Sequence, residues 1–300
     1  MRLSLDSLTV LDAIERHGSF AAAAEALHRV PSAITYAVQK LEEDLDVLIF
    51  DRSGHRAQLT AAGRELLTEG RRLLLAAAEI EARTKRVATG YEVELRIAVD
   101  DLIPMERLFP LLDEFYRTAC GTRVKLLTEV YGGTWDALVT DRADLVIGAP
   151  AEGPAGGGYN TEPLGIVQWG FMVAPGHPLA SAPEPIPSDV VVQHRSVAAA
   201  DSSRNLPPRT SGLLTGQDTL TVPEIRSKIS FQCAGLGVGY LPLHLTRDLL
   251  QAGKLLLKQV EEPRHGTTLY LAWHRQHRGQ ALNWFIKRLQ EPALRESLLA

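Results

Sequence analysis

The sequence has few cysteines and no long apolar run, and both absences narrow the class of protein. Its 300 residues include 2 cysteines, Cys120 and Cys233, which are too few and too far apart to indicate a disulfide framework or a zinc site. No apolar stretch is long enough to cross a bilayer. The N-terminal segment carries acidic residues where a signal peptide would have an unbroken apolar core. We therefore expect a cytoplasmic protein without membrane contact.

Positive charge is not in excess either. The formal net charge is −4, and the first 90 residues contain 12 Lys and Arg against 13 Asp and Glu, a net charge of −1. If the chain binds nucleic acid, the positions of its charges must matter more than their number. The length of 300 residues favours two or three domains, and 45% apolar with 23% charged residues is typical of a globular protein.

Three helical patterns occupy the N-terminal segment. Apolar residues recur at helical spacing over 5–17 and end at Gly18, after which Ser19 caps the short run "FAAAAEAL". Pro31 follows the turn "HRV" and keeps the second helix from running on, because the residue before a proline is pushed out of the α region. A third helix is predicted from there to about Leu45. A short helix, a tight turn and a longer helix form a helix-turn-helix pattern.

The next segment predicts a β-hairpin wing and a long helix. "VLIFDRSGHRAQLT" has two short strand-like stretches around a Ser-Gly turn, and Thr60 is placed to cap a helix that runs to about Ala88. Along this segment apolar residues repeat every seven positions, as in a coiled-coil seam: Leu59, Leu66, Leu73, Ile80 and Val87. The other faces of the helix are charged, which favours pairing with a second chain over packing on its own domain. The predicted dimerisation residues are Leu66, Leu73, Ile80 and Val87.

From Glu92 onward, β-rich runs such as "VELRIAVD" and "DLVIGAP" alternate with helical stretches. This alternation predicts an α/β domain with a largely parallel sheet. A second set of elements begins after the Pro-rich "HPLASAPEPIPSD", and "GTTLYLAWH" with the final helix "GQALNWFIKRLQ" returns to the first sheet. The predicted divisions are 1–59, 60–90 and 91–300, with subdomain I at about 91–164 and 268–300 and subdomain II at about 165–267.

Several motifs carry a resemblance to LysR-type transcriptional regulators. The N-terminal domain of that family has an Ala-rich helix and a recognition helix ending in Leu-Glu, followed by Leu-Phe-x-Arg and Leu-Thr-x-x-Gly. Here those positions read Leu41-Glu42, Ile49-Phe50-Asp51-Arg52 and Leu59-Thr60-Ala61-Ala62-Gly63. "APGHPLA" and "CAGLGVGYLP" are similar to the family's effector-domain signatures. "ALHRVPSAITYAVQKLEEDLDVLIFDRSGHR" looks closest to the YhaJ-like branch.

This resemblance covers essentially the whole chain and implies both fold and function. It implies an all-α-type winged helix-turn-helix DNA-binding domain (1–59), a dimerising linker helix (60–90) and a periplasmic-binding-protein-like effector domain of two α/β subdomains (91–300). Such a protein is a homodimer or homotetramer that binds double-stranded promoter DNA and a small-molecule effector, contacts RNA polymerase, and is no enzyme. Two alternatives stay open: a ligand-independent DNA-binding regulator, and a cytoplasmic small-molecule-binding protein or enzyme with a helical dimerisation module.

The recognition helix departs from the family pattern at its start. Relatives often have Ser-Gln-Pro-Ala-Val-Ser-Arg-Gln where this chain has "VPSAITYA", so the family's base contacts do not transfer unchanged. Gln39 can pair bidentately with adenine, whereas Lys40 suits a phosphate, a contact that positions without specifying sequence. For Arg52 on the wing, an ion pair with an acidic residue is the alternative. The candidate DNA contacts are Ser19, Pro31, Ser32, Thr35, Tyr36, Gln39, Lys40, Arg52, His55 and Arg56.

Ligands of two-lobed α/β domains bind at the carboxyl ends of the strands. The candidate effector contacts at those ends are Asp100, Asp101, Thr128, Glu129, Tyr131, Gly148, Ala149, Trp169, Asp201 and Ser202. Several carboxylates around one cleft disfavour an anion, so the expected effector is a neutral or cationic hydrogen-bond donor, such as a phenol, a quinol or an amine. As alternatives, Asp100 would cap the helix after its strand and Trp169 would belong to the core.

Two further patterns do not indicate a cofactor or metal site. "GLGVGY" precedes Pro242, whereas a dinucleotide-binding loop follows a strand and opens a helix. His274 and His277, in "WHRQHRG", have no further ligands nearby in the sequence and are typical of a solvated turn. We therefore expect neither a cofactor nor a bound metal.

Overall fold

The computed structural model describes residues 3–51, 57–277 and 279–300. The chain divides into two compact units, Met1–Lys85 and Arg86–Ala300. Within the described ranges, no helix is both long and apolar enough to cross a membrane.

The N-terminal unit contains three short helices, a hairpin and most of a long helix. Their bounds are α1 (Leu5–His17), α2 (Phe20–Ala26), α3 (Pro31–Leu45), β1 (Phe50–Asp51), β2 (Gln58–Leu59) and α4 (Ala61–Ala88). Gly18 ends α1 in the left-handed region at φ 72°, and the Ser19 hydroxyl caps α2 by accepting from the N–H of Ala22 at 3.1 Å. Apolar side chains of the first three helices meet in one core, which includes Leu11, Ile34 and Val38. The predicted helix-turn-helix is therefore confirmed.

Pro31 begins α3, as predicted. Val30 before it is extended, with φ −77° and ψ 143°, which is the conformation that a following proline favours. A proline at the first helical position costs little, because the N–H that it lacks would have no partner within the helix. The turn before it contains His28 in the left-handed region, at φ 52°. The helix α3 thus begins at Pro31, and its first two residues, Pro31 and Ser32, are exposed.

Side-chain hydrogen bonds fix the chain where it enters the wing and where it enters α4. Glu42 of α3 accepts from the backbone N–H of Ile49 at 2.8 Å and of Phe50 at 3.0 Å. The Thr60 hydroxyl accepts from the N–H of Gly63 at 3.0 Å and so caps α4. Three predicted DNA contacts lie outside the described residues: Arg52, His55 and Arg56.

The long helix α4 has two distinct parts. Near its start, Leu66 packs against the core of its own domain, and a Cβ at Gly70 would lie 2.7 Å from a methyl carbon of Leu8 in α1. Gly70 therefore allows a close approach within the domain. Farther along, Leu73, Ile80 and Val87 are 49%, 64% and 64% exposed. In-domain packing thus explains the first turns of the apolar seam but not the rest of it.

Subdomain I of the second unit is built on a five-stranded sheet with the order β4-β3-β5-β12-β6. The strands are β3 (Glu94–Asp100), β4 (Arg123–Glu129), β5 (Leu145–Pro150), β6 (Tyr159–Val167) and β12 (Thr267–His274); its helices are α5 (Phe109–Arg117), α6 (Gly133–Val139), α10 (Gln280–Leu289) and α11 (Pro292–Leu298). β3 is parallel to β4 and β5, whereas β12 is antiparallel to β5 and β6. Four of the five strands thus run in the same direction, and β12, which enters from the other subdomain, runs against them, so the prediction of a largely parallel sheet is confirmed in this half.

Subdomain II has a smaller sheet in which β7 (Trp169–Val173) lies between β10 (Gly239–Pro242) and β11 (Leu256–Lys258), antiparallel to both. A parallel pair, β8 (Ser196–Ala199) and β9 (Thr219–Val222), and three helices complete it: α7 (Ser188–Val191), α8 (Ile225–Cys233) and α9 (Leu243–Gln251). The chain enters at Gln168 and leaves over 259–266. The connection after β8 reaches back to subdomain I, where Leu206 packs near Trp135.

Candidate functional site

The outer side of α3 is exposed from its first residue to the middle of the helix. Pro31, Ser32, Gln39 and Lys40 are exposed, and Tyr36 is 65% exposed. Two predicted DNA contacts have local partners: the Thr35 hydroxyl donates to the Pro31 carbonyl at 3.1 Å, and the Lys40 ammonium lies 3.6 Å from an Asp44 carboxylate oxygen. The opposite side, with Ile34, Val38 and Leu41, is buried. The helix therefore has one face free to enter a groove.

Ser19 lies at the N-terminus of the preceding helix and is exposed, but its hydroxyl already accepts the capping hydrogen bond from Ala22. It can still donate that hydroxyl proton to a phosphate oxygen. Among the predicted DNA contacts, the structure therefore describes Ser19 and those on α3.

A narrow cavity separates the two subdomains of the effector unit. Four of the ten predicted effector contacts line it, namely Asp100, Asp101, Tyr131 and Trp169; further lining comes from Leu102, Val130, Pro150, Ala199, Ile225, Arg264 and Thr267. Its volume of about 20 Å³ has room for roughly one water molecule. The lobes are thus closed on each other, and a larger ligand requires them to move apart.

The two adjacent carboxylates have raised pKa values. Asp100 is 1% exposed; one of its oxygens accepts from the N–H of Leu102 at 3.1 Å, and the other has no partner among the described residues. Burial, and then the charge of Asp101, raise the pKa of Asp100 well above its ordinary value. Asp101 accepts from the N–H of Ile225 at 2.6 Å, and burial raises its pKa to about 6. Asp100 can therefore act as a buried hydrogen-bond donor.

Two cationic side chains, the buried Lys228 and the partly buried Arg264, lie beside these carboxylates, and the sequence reasoning missed both. The guanidinium carbon of Arg264 is 3.5 Å from the centroid of the Trp169 ring, and its Nη1 is buried without a partner among the described residues. Lys228 is 3% exposed, and burial, followed by the charge of Arg264, lowers its pKa to about 7. The available signal was in α8, whose buried face carries Lys228 and Gln232 where apolar residues are normal.

The other predicted carboxylates make contacts of their own. Glu129 forms an ion pair with Arg142 and accepts from the Ser202 hydroxyl, and Asp201 accepts from the N–H of Gly132 at 3.0 Å. These contacts fasten the connection after β8 to subdomain I. The charge of Glu129 is thus already paired with Arg142, and the idea that Glu129 would repel an anionic ligand loses its basis.

The remaining predicted effector contacts lie away from the cavity. Thr128 is exposed on β4. Gly148 has a φ of 95°, and a Cβ there would lie 2.8 Å from Ile103 and 3.0 Å from the Cβ of Asp100, so the glycine allows the loop after β3 to pack on β5. Ala149 is fully buried among apolar side chains.

Comparison with known proteins identifies both units. Residues 5–64 match the bacterial regulatory helix-turn-helix protein, lysR family, and residues 88–293 match the LysR substrate binding domain. The chain is 39% identical to the uncharacterized HTH-type transcriptional regulator YeeY of Escherichia coli, over 95% of this chain and 92% of that protein. It is also 39% identical to the probable HTH-type transcriptional regulator YhaJ of Escherichia coli, over 96% of each chain, so the expected similarity to YhaJ is confirmed.

A solved structure supports the fold. The probable transcriptional regulator PA0477 from Pseudomonas aeruginosa superposes with a TM-score of 0.62 at 21% identity, over 96% of this chain and 98% of that one. The chain therefore belongs to the LysR family of DNA-binding transcriptional regulators, with an N-terminal helix-turn-helix domain and a C-terminal effector-binding domain.

Proposed function

We propose that this regulator responds to a compact effector that carries a hydrogen-bond acceptor, bound between its two α/β subdomains. The observation that carries the proposal is that Arg264 lines the cavity and that its buried Nη1 has no acceptor among the described residues. A buried donor left unpaired costs about 1–3 kcal/mol, so a ligand that supplies an acceptor recovers that free energy. A carboxylate, a carbonyl or a phenolic oxygen fits this requirement.

The charges around the cavity refine the effector class. At neutral pH the positive charge of Arg264 offsets the negative charge of the largely ionised Asp101, and Lys228 beside the cavity is about half protonated. Burial favours the neutral form of Asp100, so these groups carry no net negative charge. An amine, which offers donors and a positive charge, therefore fits the cavity poorly. The expected phenol or quinol remains compatible, because its oxygen can accept from Arg264 while its ring packs beside Tyr131.

The effector is proposed to act by changing the quaternary arrangement on DNA. A ligand shifts such an equilibrium only if it binds one arrangement more tightly than the other. The exposed seam of α4, formed by Leu73, Ile80 and Val87, is proposed to pair two chains in the cytoplasm, where the DNA is located. Ile80→Glu should place a charge in that seam and yield monomers in sedimentation analysis; an unchanged dimer would contradict this role of α4.

The test of the effector class uses the full chain on an operator selected from random DNA. Footprints are compared without ligand and with panels of small carboxylates, phenols or quinols, and amines. Arg264→Met should keep DNA binding and lose the ligand response, whereas Arg247→Met, which alters an exposed arginine, should keep both. If only amines change the footprint, the acceptor proposal fails. Footprints that no ligand changes would favour the ligand-independent alternative.

The recognition helix is proposed to read bases through Gln39 and to hold the backbone through Lys40. Gln39→Ala should change the preferred base at one operator position, with a loss of about 1–3 kcal/mol for the original base. Lys40→Ala should weaken binding to all sequences about equally and lower the salt dependence. Selection from randomised operators measures both effects, and a uniform loss for Gln39→Ala would refute its assigned role.

A further inference from the structure

Subdomain II contains a second cavity, separate from the one between the subdomains and much larger. Its volume is about 290 Å³, against about 20 Å³ for the cavity at the lobe boundary. A dry cavity of about 150 Å³ is enough to bind benzene, so this one has room for two fused rings. Its lining comes mainly from β7, α7, β10, the 212–217 loop and the segment that returns to subdomain I.

Contacts between side chains define two sides of this cavity. The rings of Phe171 and Tyr240, on paired strands, meet edge to face with centroids 5.4 Å apart. On the far side, the Gln217 amide accepts from the N–H of Leu214 at 3.3 Å and donates to the carbonyl of Val191 at 3.2 Å. This side chain ties the loop to α7. The space is therefore bounded by packed side chains on both sides.

Two polar groups at the cavity have unused hydrogen-bonding capacity. Ser196 is 2% exposed and lines the cavity, and its hydroxyl makes no hydrogen bond among the described residues. Arg264 lines both cavities, and its buried Nη1 lacks an acceptor among those residues. The cavity combines apolar side chains with polar ones, Glu262 and Gln217 among them, and convergent polar groups in an apolar surround are usual for a small-molecule site.

We propose that this cavity in subdomain II is a second binding site, and that it takes an aromatic acid of one or two rings. The rings would pack between Phe171, Tyr240 and Val191, and the carboxylate would accept from Arg264 and from the Ser196 hydroxyl. The site is distinct from the one proposed between the subdomains. Because Arg264 lines both, a ligand here also changes the surroundings of the other site, which gives the regulator a route for a second signal.

The test is calorimetric titration of the full chain with 2-naphthoate. The wild type should bind one molecule per chain. Val191→Trp, which fills the cavity, should abolish binding, whereas Asp189→Trp on the exposed side of the same helix should retain it. Ser196→Ala removes a hydroxyl without adding bulk and should weaken binding about 5- to 10-fold, which covers the case in which Val191→Trp does not fold.

A variant of the cavity between the subdomains distinguishes binding there from binding in subdomain II. Asp101 lines only the cavity between the subdomains, so naphthoate bound there would respond to Asp101→Asn and not to Val191→Trp. That result, or no binding by the wild type, would overturn the second site. Because Arg264 lines both cavities, the footprint test of the first site is repeated with Asp101→Asn, which alters that cavity alone. A ligand response that Asp101→Asn abolishes belongs to the first site, and one that it leaves intact does not.

Discussion

Replacement of Lys228 by methionine should stabilise the effector domain, and the gain should depend on pH. Lys228 is 3% exposed, and burial lowers its pKa to about 7. Because the unfolded chain holds this proton up to about pH 10.4, the unfolded state binds more protons than the folded state between those two values. Wild-type stability therefore rises with pH across this window, and the methionine variant lacks that rise.

The size of the effect follows from the displacement of the pKa. Each unit of difference between the unfolded and folded pKa corresponds to about 1.4 kcal/mol. At a pH below the folded pKa, the buried charge therefore lowers the free energy of unfolding by about 4–5 kcal/mol relative to its value in strongly alkaline solution. At pH 6.5 nearly all of this cost is present, and at pH 9.5 only about 1.4 kcal/mol of it remains. Lys228→Met should thus be more stabilising at pH 6.5 than at pH 9.5 by about 3 kcal/mol.

The assay is urea unfolding of the full chain followed by tryptophan fluorescence. All 4 tryptophans lie in the effector unit, at positions 135, 169, 273 and 284, so the signal reports that unit alone. Lys254→Met, which removes an exposed ammonium, is the matched control and should show no comparable difference between the two pH values. An equal stability change at pH 6.5 and pH 9.5 for Lys228→Met would refute the assignment of a buried, destabilising charge.

Two further predictions concern helix and strand ends. Glu42→Ala removes the acceptor for two backbone amides of the wing and should speed hydrogen exchange at Ile49 and Phe50, with a cost of about 1–3 kcal/mol per unpaired amide. Glu43→Ala, which alters an exposed side chain, is the control. Equal exchange rates in the two variants would contradict the anchoring role of Glu42. The hydrogen bond to Glu92 raises the pKa of His277. The contribution of this pair to the free energy of unfolding is therefore fully present below the unfolded histidine pKa and is lost as pH rises through the folded value. In Glu92→Gln, the melting temperature should no longer show that loss between pH 5.5 and 8.5. A pH dependence equal to that of the wild type would contradict the pairing.

The elements near the recognition helix were predictable because their causes are local. Ser19 and Gly18 act on the adjacent helix ends, and Pro31 acts on the residue directly before it. These effects depend on a few neighbouring positions and hold in any tertiary setting that keeps the helices. The heptad pattern of α4 was also local. It did not predict that Gly70 packs on Leu8, because that contact depends on how α4 lies on α1.

The cavity between the subdomains was only half predictable. Position at a strand end correctly placed Asp100 and Asp101 at the cavity, but the same rule included Thr128, which is exposed on the outermost strand of the sheet. It also treated Glu129 as an uncompensated charge, because its partner Arg142 comes from a different part of the chain. A strand end alone does not say which side chain turns inward or which charge is already paired.

By itself, the sequence determined the family, the helix-turn-helix and the start of the recognition helix, because each rests on residue order over short stretches. The tertiary structure alone decided the chemistry of the cleft. Asp101 and Ile225 are hydrogen-bonded although they are 124 positions apart, and Arg264 reaches the same cavity from the returning segment. Burial then sets the charge of these groups, and burial is a property of the folded chain that no local pattern encodes.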